Sequence, residues 1–190
     1  MKVKIHCFEG EWDNHSELSI RPLIHVLERA YLSAGKQLVY TFKLCQTIER
    51  LKDDLRASKI KFSKSVYQNC LYFAFHGSGH GLYGNSHEEY ISFDDIAKTL
   101  GKKAAGSIVL FGSCGSYASQ KQLERFKEET DATLVVGYSS KVSWIESSIF
   151  EMIFFSELCR YEQVGSFKNR MQKLSSEDQL LFSKLKVRFI

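Results

Sequence analysis

The sequence is poor in the residues that interrupt a folded core. It holds one proline, Pro22, and only 12 glycines in 190 residues, which leaves no room for a Pro- or Gly-rich linker. No apolar run approaches the roughly 20 residues that a membrane helix needs. The first ten residues, MKVKIHCFEG, alternate in polarity, and their apolar part is too short for a signal peptide. A cytoplasmic location and no membrane partner are therefore expected. The five cysteines, Cys7, Cys45, Cys70, Cys114 and Cys159, are odd in number and form no C-x-x-C pair, which excludes a disulfide framework and a zinc knuckle. Charge lacks a dominant sign. The net +4 arises within residues 163–190, where Lys168, Arg170, Lys173, Lys184, Lys186 and Arg188 face only Glu177 and Asp178. The rest is balanced at 20 basic and 20 acidic residues. This basic segment reads as the solvated face of a terminal helix and strand, and no nucleic-acid partner is expected.

What is present describes a soluble globular chain. Hydrophobic residues make up 44% and charged residues 25%, and the length suits one domain over residues 1–190. Residues 2–8 read as a strand. Ser19-Ile20-Arg21-Pro22 opens a helix running through Leu32, with Leu23, Leu27, Ala30 and Tyr31 on one face and Gly35 at its end. A second strand covers 37–45, and Ile48, Leu51 and Leu55 stripe a short helix. Residues 70–75, CLYFAF, are apolar throughout, as a central parallel strand covered on both faces should be.

A Gly-rich turn and a short extended piece at Tyr90-Ile91-Ser92-Phe93 follow. Asp94 or Asp95 is expected to cap the next helix, which ends at Leu100 before Gly101. Strands at 107–111 and 133–138 flank a polar helix over 120–129. Residues 144–159 read as a strongly apolar helix with Ile145, Ile149, Met152, Ile153 and Ser156 down one side. A helix around 170–181 and a last strand, LKVRFI, close the chain. Strands separated by helices imply right-handed crossovers, hence a three-layer α/β/α sandwich around a mostly parallel sheet of about six strands. In such a sheet, functional groups gather at the carboxyl ends of the strands.

Two strands end in chemistry. One is followed by His76-Gly77-Ser78-Gly79-His80-Gly81, the other by Gly112-Ser113-Cys114-Gly115-Ser116. Each apolar run pins its strand in the sheet, so His76 and Cys114 emerge at the same edge, one crossover apart. A Cys–His pair is a nucleophile with its base, and an imidazolium or a helix N-terminus lowers a thiol's pKa. Gly115-Ser116 leads toward the next helix. Gly77 and Gly115 let a substrate backbone approach, and the amides of Gly77 and Cys114 are candidate oxyanion donors.

YFAFHGSGHG and IVLFGSCGSYAS together resemble the two-block signature of the caspase-like (clan CD) cysteine peptidases, and look most like the bacterial CHAT protease branch. The resemblance implies a caspase-hemoglobinase-like fold with His76 as base and Cys114 as nucleophile. It implies peptide-bond hydrolysis of a protein or peptide substrate without a cofactor or metal, a role in bacterial defence or regulated cell death, and a regulatory protein partner. The Gln-Ala-Cys-Arg-Gly pattern of caspases is absent, and no long acidic linker follows Cys114.

In that family the loop after the first strand and the strand after the Cys build the pocket for the P1 side chain. By that resemblance Glu9, Glu11 and Asp13, with Ser139 and Trp144, are substrate-binding candidates, and the acids suit a basic P1 residue. The rival reading is a catalytically inactive interaction module of the same fold. A zinc site built on His76, His80 and Cys114 lacks fixed short ligand spacing, and Gly77–Gly81 lacks the G-x-G-x-x-G spacing of a dinucleotide loop.

Overall fold

A computed structural model describes residues 2–12, 18–58, 60, 67–84, 89–115, 120–177 and 182–190. Strand β1 (Lys2–Glu9) is followed by helix α1 (Arg21–Ser33), β2 (Gln37–Leu44), α2 (Ile48–Ala57) and β3 (Tyr67–Ala74). Three short strands come next: β4 (His76–Ser78), β5 (Gly81–Tyr83) and β6 (Tyr90–Ser92). The chain continues through α3 (Phe93–Leu100), a 3₁₀ turn (Gly101–Ala104), β7 (Ile108–Phe111), α4 (Gln120–Thr130) and β8 (Leu134–Tyr138). It closes with α5 (Trp144–Leu158), α6 (Val164–Glu177), α7 (Phe182–Leu185) and β9 (Val187–Phe189).

Six strands form one sheet in the order β2-β1-β3-β7-β8-β9, parallel except for β9, which runs antiparallel to β8. Alternation along the strands sorts side chains into two cores. Val3, Ile5, Cys7, Tyr72, Leu110, Val136 and Tyr138 face α1, α5 and α6. Phe8, Leu71, Phe73, Val109, Phe111 and Val135 face α2, α3 and α4. The expected three-layer α/β/α sandwich is therefore the observed fold. Among the described residues, no helix is long and apolar enough to cross a membrane.

Local chemistry sets the helix starts. Thr47 and Ser143 cap α2 and α5, their hydroxyls accepting from Arg50 N and Glu146 N at 3.1 Å each. The cap of α3 is Ser92, not Asp94 or Asp95. Its hydroxyl accepts from Asp95 N at 3.0 Å and donates to the Asp95 carboxylate, leaving the two acids in the first turn beside the helix dipole.

Three other expectations change. The segment after β3 is not a simple turn, because β4, β5 and β6 pair as a small antiparallel sheet. Helix α6 begins at Val164, six residues before the expected start, and 178–181 lie outside the described residues. On α5 the buried face carries Phe150, Phe154, Phe155 and Leu158, whereas Ile145 is 68% and Ile149 42% exposed. A helix apolar nearly all round offers no periodic cue to its inner face, so packing against the sheet decides it. On α1 the buried residues are Ile24 and Leu27, and Ala30 is exposed.

Phe111 is the hinge of the second core. Its ring lies 5.2 Å from Phe73, 4.8 Å from Phe93 and 5.2 Å from Phe126, joining β7 to β3, α3 and α4. Phe111→Ala should lower unfolding free energy by about 3–5 kcal/mol, the range for a fully buried aromatic. Urea denaturation followed by circular dichroism measures this, and a change below about 1 kcal/mol would contradict the packing.

Candidate active site

The order of the sheet reverses between β1 and β3, since the chain builds β2 on one side of β1 and then β3, β7 and β8 on the other. Parallel sheets bind ligands at the carboxyl ends of the strands beside such a reversal. A cleft of about 160 Å³ opens there. The loop after β1 supplies Trp12 and Leu18, and His76, the first residue of β4, comes just past the end of β3. Gly112 and Cys114 come from the exit of β7, and Val142, Trp144 and Ser147 from the segment after β8.

Gly77 shows how closely the two motif segments meet. A Cβ on it would lie 2.7 Å from Ser113 Cβ, 2.9 Å from Ser113 Oγ and 3.0 Å from the Cys114 carbonyl oxygen. Only a residue without a side chain allows this contact. Gly115 turns the chain with φ +61°, a region costly for other residues, and its amide donates to Ser140 O at 2.9 Å. The Cys114 loop is thereby tied to the loop after β8.

The imidazole of His76 is oriented by a backbone carbonyl. Nε2 lies 2.5 Å from Trp12 O, and a carbonyl only accepts, so Nε2 carries the proton of the neutral ring. Nδ1 is then the nitrogen that takes and returns a proton. The Trp12 indole packs edge-on against the imidazole, 5.3 Å between centroids. Cys114 is partly exposed. Its Sγ accepts from Val142 N at 3.5 Å and lies 3.6 Å from Val142 O, so a backbone amide faces the sulfur. The helix that follows Cys114 begins at Gln120, where it was expected, and residues 116–119 lie outside the described residues.

The substrate-binding candidates scatter. Trp144 lines the cleft. Glu9 does not: it is 1% exposed, and its carboxylate accepts from Trp12 Nε1 at 3.0 Å, Ser19 Oγ at 2.7 Å and Ile20 N at 2.8 Å. A carboxylate satisfied by three internal donors cannot receive a substrate cation. It holds the loop that presents the Trp12 carbonyl to His76. Ser139 is engaged elsewhere, its amide and hydroxyl both donating to Lys186 O. Glu11 is partly exposed in the loop after β1, and Asp13 lies outside the described residues.

Among the described residues no three of His, Cys, Asp or Glu converge as metal ligands, and His80 is exposed. Sequence reading missed the Trp12 carbonyl, Leu18 and Val142. A backbone oxygen carries no sequence signal, and Leu18 and Val142 sit in otherwise polar stretches.

Beneath the cleft lies a second buried acid. Glu151 of α5 accepts from the Tyr72 hydroxyl and from Tyr138 Oη at 3.0 Å. Burial without a cation pushes its carboxyl up to about 7. A folded-state value above the unfolded one makes ionisation cheaper in the unfolded chain. Stability from this group is therefore complete below about 4.5 and declines as pH rises to about 7. The stability difference between wild type and Glu151→Gln should fall across that window by on the order of 3 kcal/mol, at about 1.4 kcal/mol per pH unit. Paired urea titrations measure it, and a difference that stays flat would contradict a raised carboxyl.

A model of family DUF6642 matches residues 2–186. No curated protein matches the chain. Among solved structures, Raptor from Chaetomium thermophilum is similar at 13% identity with a TM-score of 0.45, over 85% of this chain. The chain spans 18% of the length of that structure. With 2–186 of 190 residues matched, the chain belongs to DUF6642, a family of unknown function.

Proposed function

We propose that the protein is a caspase-like cysteine endopeptidase that works through an acyl-enzyme at Cys114, with His76 as its acid and base. The contact of His76-Gly77 with Ser113-Cys114 across adjacent strands, at the mouth of one cleft, carries the reading. In this reaction the Cys114 thiolate attacks the scissile carbonyl carbon, and the carbonyl electrons move to oxygen. The amides of Gly77 and Cys114 stabilise that oxyanion. His76, protonated at Nδ1, gives its proton to the leaving amine as the C–N bond breaks. A water then loses a proton to Nδ1 and attacks the thioester, whose C–S bond breaks to release the acid and restore the Cys114 thiolate beside the protonated His76.

The described lining supports a different side-chain preference from the basic one that three acids suggested. Trp12, Leu18, Val142 and Trp144 dominate the cleft, and no carboxylate lines it among the described residues. An apolar residue suits that surface. A role in bacterial defence or regulated cell death, with a regulatory partner, remains part of the proposal through the resemblance of the two motif blocks.

Cleavage of a pooled fluorogenic peptide library tests the reading. Cys114→Ala and His76→Ala should each lower kcat/KM by about 10³-fold or more, as loss of a nucleophile or its base does. Thiol labelling must be compared with a small free thiol, because the other four cysteines are buried and Cys45 and Cys159 are pushed up to about 12. Contrast among the five thiols would reflect burial alone. No peptide cleaved, with Cys114 labelled no faster than the free thiol, would identify an inactive interaction module instead. Glu9→Gln should lower kcat about tenfold while KM changes little, because it disturbs the carbonyl that orients His76. An unchanged kcat would detach Glu9 from the site.

A further inference from the structure

We propose that Glu151 is a positioning residue for Cys114, holding the exit of β7 in place through the hydroxyls of Tyr72 and Tyr138. The inference rests on the reading of Cys114 as nucleophile. Strand β7 lies between β3 and β8 in the sheet, and the two tyrosines sit on those flanking strands. Glu151 reaches up from α5, so its carboxyl spans β7 from below and takes one hydroxyl from each neighbour. Gly112, the first residue past β7, rests on this bridge. A Cβ there would lie 2.7 Å from Glu151 Oε1 and 2.6 Å from Tyr72 Cε2. Cys114 follows two residues later.

A buried acid in an apolar helix needs a reason, since a hydrophobic residue of similar size would cost less to bury. Directional bonds provide one that apolar packing lacks. Backbone ladders set the spacing of β3, β7 and β8, and two hydroxyls aimed at one carboxylate fix where it sits against the Gly112 backbone. The titratable groups facing the carboxyl are Tyr72 from β3, Tyr138 from β8, Glu9 and Cys7 from β1, and Cys114 from the β7 loop beside Tyr138. None is a cation. The ionised carboxylate accepts both hydroxyls, whereas the protonated acid uses one oxygen as a donor and leaves one tyrosine without its acceptor. The bridge is therefore complete above neutral pH and weakened below it.

The test uses the full chain as wild type, Glu151→Gln, Tyr72→Phe and Tyr138→Phe. Two quantities are read: the iodoacetamide rate at Cys114 across pH, and amide hydrogen exchange at Gly112–Cys114. Glutamine mimics the protonated acid. The ratio of wild-type to E151Q alkylation rates should rise from about 1 at low pH to about tenfold at about pH 8. Exchange at Gly112–Cys114 should quicken about tenfold in E151Q and Y138F. The phenylalanine variants each delete one oxygen and keep the ring packing, so they answer the question if E151Q does not fold. A pH-independent ratio, or loop exchange within about twofold of wild type in Y72F and Y138F, would overturn the proposal. The peptidase reading fails separately, if wild-type Cys114 reacts no faster than a free thiol and no peptide is cut while loop exchange still responds to these variants.

Discussion

The buried carboxylate of Glu9 is the constraint from which the site is built. Register places it at the last position of β1, level with Ala74 of β3 and Leu44 of β2. A carboxylate in that position is tolerable only if its oxygens are satisfied, because an unpaired buried charge is among the costliest defects a core can hold. Trp12, Ser19 and Ile20 meet this demand, with Trp12 Nε1, Ser19 Oγ and Ile20 N all donating to it. With Trp12 held in this way, its carbonyl reaches His76 Nε2 and its indole packs on the imidazole. An electrostatic need in the core thus selects the proton tautomer of a ring at the surface of the cleft.

Glu151 follows the same logic on the other side of the site. The charge of Glu9 helps raise the Glu151 carboxyl, and both acids draw their donors from neutral groups. Neither contributes to stability as an apolar residue would. What both supply is direction: hydrogen bonds distinguish one arrangement of loops from others that bury the same area, whereas van der Waals packing distinguishes them poorly. The cost appears in the raised carboxyl of Glu151 and in the need for Gly112 above it.

The fold was legible because its signals are local and redundant. Fully apolar strands such as Ile108–Phe111 are pinned by burial on both faces, and helices between them force parallel crossovers. Where one signal was missing, sequence reading erred. The stripe named on α5 is not its buried face because Phe and Ile encircle the helix, and the α3 cap was misplaced because Ser92, Asp94 and Asp95 are all competent caps.

By itself, the sequence determined the succession of the six main-sheet strands and the helices between them, the sheet edge to which His76 and Cys114 belong, and the glycines flanking them. Those properties follow from periodicity and from residue types whose chemistry is narrow. Only the tertiary structure decided which acids face a substrate and which face the core. A glutamate's letter says nothing about whether its oxygens meet water or internal donors. Glu9, which alternation along β1 left beside a loop, is consumed by Trp12, Ser19 and Ile20. The Trp12 carbonyl, the Val142 amide and the bridge under Gly112 likewise exist only once distant segments meet, because backbone groups are alike at every position until folding places them.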